Sequence, residues 1–123
     1  MPVAVLKSSI EVPSQDKLDG HRWARTRWRA RFEQAIQPPT YRQRAHGKRY
    51  ISITRFIGYR QREYDYGNLV GGCRPLVDAL VRLRWLVDDR PACLLAEYMQ
   101  RKAAGRSGVE IRIFAAEREA IEP

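Results

Sequence analysis

Hydrophobic alternation is clearest over residues 50 to 59, YISITRFIGY, where Ile51, Ile53 and Ile57 share one face and β-branched or aromatic residues fill most of the run. Period two predicts a strand there. Carried at the same pitch through RQREYDY, it places Glu63 and Asp65 on one face of an extended segment. Residues 20–36, GHRWARTRWRARFEQAI, read instead as a helix: Ala24, Trp28, Phe32 and Ala35 recur at helical spacing, and Arg22, Arg25 and Arg29 project together from another side. Asp19 is its expected N-cap and Pro38-Pro39 its stop, with Trp23 and Trp28 expected to pack. A second helical pattern runs from Leu69 to Leu83 through Cys73, Leu76, Val77 and Leu80. Pro75 interrupts it, so either a short first turn bends at Gly71-Gly72 or the regular helix begins near Arg74. AVLKSSIEV reads as a weak first strand, ACLLAEYMQRK as helical by local propensity, and VEIRIF as a closing strand after a turn at GRSG.

These elements predict an α+β fold: one small mixed α/β domain over residues 1–123, with a sheet of about four strands and two principal helices. A chain of 123 residues supports one modest core and not two. Apolar runs stop at four or five residues, far below the roughly 18 to 20 a membrane span needs. MPVAVLKSSIEV has neither the basic leader nor the apolar stretch of a secretory signal, so a cytoplasmic location is expected. Cys73 and Cys93 are far apart and form no C-x-x-C pair; both are expected as buried free thiols.

Charge changes the picture most. The net charge is +9, and twelve of the 23 Lys and Arg residues but only one of the 14 acids fall between Arg22 and Arg62. The remainder is slightly acidic. Such asymmetry suggests a phosphate-binding half, including the loop YRQRAHGKR with Arg42, Arg44, Lys48 and Arg49, followed by Arg60 and Arg62. A basic solvated face is the plainer alternative.

The acids outside that half, Glu63, Asp65, Asp78, Asp88 and Asp89, come from an extended segment, a helix and the loop after it. Carboxylates from several elements, completed by a substrate phosphate, are how an oxygen-rich Mg²⁺ site is built. Two histidines are too few for a zinc site of the usual kind, and neither a phosphate-cradling glycine loop nor a nucleophile elbow is present. For Asp78 an ion pair with Arg74 or Arg82, and for Asp88-Asp89 a polar turn, remain the structural alternatives.

The string D-x-G-N-L-V-G-G-C-R-P-L-V-D-A-L, a spacer and W-L-V-D-D resembles the RusA family of Holliday-junction resolvases over roughly residues 63–89. The resemblance implies a Mg²⁺-dependent endodeoxyribonuclease of four-way or other branched DNA that works as a homodimer. It makes Asp65 the first metal ligand, Asn68 the polar residue opening a helix, Asp78 the helical acid, Asp88-Asp89 the closing pair with Asp89 the principal ligand, and Arg74 the catalytic cation. Three positions depart from the family pattern. Gly67 stands where a second aspartate is expected, Arg74 where a lysine is, and Arg84 at a position often held by glycine. Glu63, two residues before Asp65, is the candidate replacement for the missing acid. A scaffold that binds branched DNA without cutting it, and a small basic RNA-binding protein, are the competing readings.

Overall fold

A computed structural model describes residues 1–115. Its centre is β2 (Arg49–Ile57), on which Ile51, Ile53 and Ile57 are fully buried on one face. The sheet has the order β1-β4-β2-β3, with β1 (Ala4–Ser8) antiparallel to β4 (Gly108–Ala115), β4 antiparallel to β2, and β2 parallel to β3 (Leu94–Lys102). A parallel pair needs a crossover. Here α3 (Tyr66–Gly72) and α4 (Arg74–Arg82) supply it, after α1 (Gln15–Asp19) and α2 (Ala24–Ala35) earlier in the chain. The result is a small mixed α+β domain of four strands and two main helices, α2 and α4, packed on each other. Among the described residues, no helix is long and apolar enough to cross a membrane.

The helices cover one face of the sheet. Phe32 and Ile36 at the end of α2, and Leu76, Ala79 and Leu80 from α4, meet Ile51, Ile53, Ile111 and Ile113 in one continuous core. Each fully buried Ile or Leu side chain contributes roughly 1.5–3 kcal/mol. The other face is polar, with Ser52, Thr54, Glu110 and Arg112 around a shallow hollow and Glu110 paired to Arg112 at 3.5 Å. Ala24, Trp28 and Phe32 do form the inward stripe of α2, but Ala35 is exposed and the buried residue at that end is Ile36.

Several expectations are corrected. Ser14, not Asp19, is a helix cap: it accepts from the Lys17 amide and opens α1, which ends at Asp19. Helix α2 starts only at Ala24, without a side-chain cap, and Trp23 is 57% exposed under the Arg22 guanidinium instead of packed. Cys93 is only half-buried, while Cys73 is buried and its thiol is pushed up to about 12 by that burial. Both openings foreseen for the second helical pattern occur together: α3 ends at Gly72, Cys73 is the joint, and α4 starts at Arg74 with Pro75 in its first turn. A Cβ at Gly72 would lie 1.8 Å from the Pro13 carbonyl oxygen, so the missing side chain lets the segment before α1 lie against α3.

The largest correction is β3. ACLLAEYMQRK, helical by propensity, pairs over nine residues with β2, from Arg49 opposite Leu94 to Ile57 opposite Lys102. Leu94, Ala96 and Tyr98 turn alternately to the core. Nine residues of pairing beside a buried strand outweigh a preference of a few tenths of a kcal/mol per residue.

Candidate functional site

Strand β2 does not continue toward the acids. It stops at Ile57, and the chain turns at Gly58, whose carbonyl accepts from the Gln61 amide at 3.0 Å. Tyr64 then anchors the segment: its hydroxyl donates to the Val12 carbonyl, and its amide donates to the Gln100 side chain, 2.9 Å in each case. Glu63 and Asp65 on either side of it are exposed, and they do not extend the face of β2.

Asp65 is the N-cap of α3. Its carboxylate accepts from the Asn68 amide at 2.9 Å and from the Asn68 side-chain nitrogen at 3.0 Å. These bonds, the backbone one first, hold its carboxyl below the usual carboxylate range. The Asn68 side-chain oxygen accepts from the Asp16 amide at 3.0 Å, so Asn68 ties α3 to α1. Gly67, one turn position on, has open space: an added Cβ would meet only the Asp65 carboxylate oxygen, at 3.5 Å.

The other acids lie toward the opposite end of β3. A cavity of about 360 Å³ brings together Arg25 of α2, Arg74 and Asp78 of α4, Asp89, and Tyr98 of β3. Asp78 is paired with Arg25, accepting at 2.7 and 3.1 Å, and not with Arg74 or Arg82. Arg82 pairs with Glu33 at 2.7 Å. The hydrogen bond to Asp78 raises the proton affinity of Arg25, and Asp89 adds to it by attraction. Arg74 is exposed at the rim, with no ion pair among the described residues. Burial pushes the Tyr98 phenol up to about 12, so it stays a neutral donor in the wall. Asp88 turns away: it accepts from the Asp89 amide at 2.8 Å and pairs with Arg90 at 2.8 Å, and its carboxyl is held low, chiefly by that amide.

The acids therefore flank β3 at two levels. Asp65 sits beside Tyr98 and Gln100, through the Tyr66–Tyr98 ring contact and the Tyr64 anchor, whereas Asp89 precedes Leu94. Tyr98 reaches both places. In donor chemistry these oxygens suit a hard cation such as Mg²⁺. In arrangement they are not assembled: among the described residues no three Asp, Glu, His or Cys side chains converge as metal ligands.

The basic residues also divide. Arg42, Arg44, His46 and Lys48 gather before β2 around a hollow of about 220 Å³, while exposed Arg60 and Arg62 follow its other end. Arg49 is corrected from phosphate contact to interior support: it is 8% exposed and donates to the Trp85 and Arg44 carbonyls. The pairing of Arg25 with Asp78 spans 53 residues of sequence, and no local pattern points to it.

Comparison of the chain with protein-family models, with curated proteins and with solved structures finds no match.

Proposed function

We propose that this chain is a RusA-like endodeoxyribonuclease acting on four-way or otherwise branched DNA. One observation carries the proposal: Asp89 and Asp78 share a cavity with Arg25 and Arg74, on a chain with a net charge of +9. Acid and cation together are what phosphodiester cleavage needs, the one to manage a proton or a metal and the other to hold the charge gathering on phosphorus. Of Asp65, Asp88, Asp89 and Glu63, the carboxylates that the resemblance assigns to Mg²⁺ and its Lewis acidity, only Asp89 lies in the cavity with Arg74, and the four are not assembled as one site among the described residues. Arg74, unpaired at the rim, holds the scissile phosphate, and its guanidinium offers a planar fork where the resembled family has a lysine. Arg42, Arg44, Lys48, Arg60 and Arg62 hold the arms through the phosphate backbone, so binding falls steeply with salt. A homodimer suits the two strands that a four-way junction presents.

The test is cleavage of a synthetic four-way junction. Nicking that requires Mg²⁺ and falls at least about a hundredfold in Asp89→Asn is the expected result. Undiminished nicking by that variant sinks the assignment.

A second reading has its own support. Asp65, Asp78 and Asp88 are each engaged by neighbours, and Gly67 offers no carboxylate, which favours a scaffold that binds the junction without cutting it. Tight junction binding with no nicking in Mg²⁺ or Mn²⁺ selects it.

A further inference from the structure

Outside the acid cavity, the basic loop and the end of α4 enclose a second hollow of about 460 Å³. Tyr41, Arg44, His46 and Arg84 supply its polar and aromatic rim, and Val81 and Leu86 belong to its apolar wall. Tyr41 is 76% exposed, with the Arg44 guanidinium 5.7 Å from its ring centre.

Arg84 is the unusual member. Its φ of 74° makes it the only non-glycine residue with positive φ among the described residues. It occupies the left-handed position that closes α4: its amide donates to the Val81 carbonyl at 3.0 Å, and the Trp85 amide donates to the Leu80 carbonyl at 2.9 Å. This paired closure is ordinarily made by glycine, which has no Cβ to crowd the following carbonyl. The closing bonds are all main-chain, so the cap itself has no use for an arginine side chain. That side chain is exposed on the rim, with no ion pair among the described residues. The Arg84 carbonyl accepts from the Ala45 amide at 3.0 Å, which fastens the basic loop against the strained residue and sets the two sides of the hollow.

We infer that this hollow is a binding site for one nucleotide of an unpaired DNA strand, its base laid against Tyr41 and the apolar wall and its phosphate held by Arg84 and Arg44. Duplex backbone would need the cations but neither the exposed ring nor the aliphatic wall. An unstacked base uses both, because any base presents a π-face to an aromatic ring and to a guanidinium. Strain kept at a site where an exposed cation faces a cavity is the pattern expected of a ligand-holding residue. The inference rests on the DNA-processing reading, and adds to it a preference for unpaired nucleotides.

The experiment compares wild type, Arg84→Gly and Tyr41→Ala by fluorescence anisotropy. The probes are a labelled ten-nucleotide thymidine strand, a ten-base-pair duplex and a four-way junction. Arg84→Gly is expected to raise the thermal midpoint while weakening binding to the thymidine strand about tenfold and leaving the duplex within about twofold. Tyr41→Ala, in an exposed turn, is expected to give the same selective loss with the midpoint unchanged. The inference is overturned if both variants bind the thymidine strand like wild type, if they lose strand and duplex equally, or if Arg84→Gly lowers the midpoint. Wild type that binds the junction but not the thymidine strand refutes this site alone. Wild type that binds none of the three DNAs refutes the reading beneath it.

Discussion

At Asp65 the folded chain offers two nitrogens of Asn68 to an exposed carboxylate at the start of α3. The folded-state pKa is depressed below 3.8, so its contribution to stability is fully present above that value and is lost as pH falls through the lower, folded one. An Asp65→Asn variant, which keeps the size and one acceptor, should therefore lose thermal midpoint above about pH 4 and converge with wild type in stronger acid. Melting curves from pH 2 to pH 6 check this. Gly67 beside it admits a side chain, its virtual Cβ 3.5 Å from an Asp65 oxygen. In Gly67→Asp two carboxylates then face each other, so the variant should be no more stable than wild type in EDTA and more stable in Mg²⁺, with raised nicking. A Mg²⁺ titration of the midpoint that is flat would show that the two acids do not cooperate. Arg84 was legible in part. The resemblance implies a glycine at its position, which a φ of 74° would suit; that the same side chain faces a hollow built from a loop some forty residues earlier is not written locally.

Elements show why some of the fold is readable and some is not. Strand β2 was legible because its Ile residues alternate and its pairing partners lie on both sides, so local pattern and tertiary burial agree. The segment that becomes β3 has residues that suit a helix, and its extended form comes from an already buried neighbour. Pattern alone could not see that neighbour. Asp78 was legible on its helix and Asp88-Asp89 in the loop after it, but Asp78's partner Arg25 comes from a distant segment, and the turn at Gly58, closed by Gln61, takes Glu63 and Asp65 off the strand that the alternation carried them on. At the joint of α3 and α4, Gly72 is pressed against the Pro13 carbonyl. Gly72→Ala should cost more than about 2 kcal/mol, because a backbone atom stands where the methyl would go and cannot rotate away as a side chain can. Urea denaturation measures it, and a loss within 0.5 kcal/mol would mean that the α1 segment moves freely.

For the molecule as a whole, the helices shield one face of the sheet and leave charge at the two ends of β2, with Arg42, Arg44 and Lys48 before it and Arg60 and Arg62 after it. Nine strand residues span roughly 26 Å between those ends. Rise along B-form DNA is about 3.4 Å per base pair, so the span equals roughly eight base pairs. Affinity for junctions with progressively shortened arms should hold down to about that length and then drop, with a shallower salt dependence below it. A smooth decline with no step would show that the two groups of cations do not work on one arm. On the proposed DNA-binding reading the central strand is a measuring rod: a polyanion shorter than it touches one end or the other, and reach is tested before any base is read.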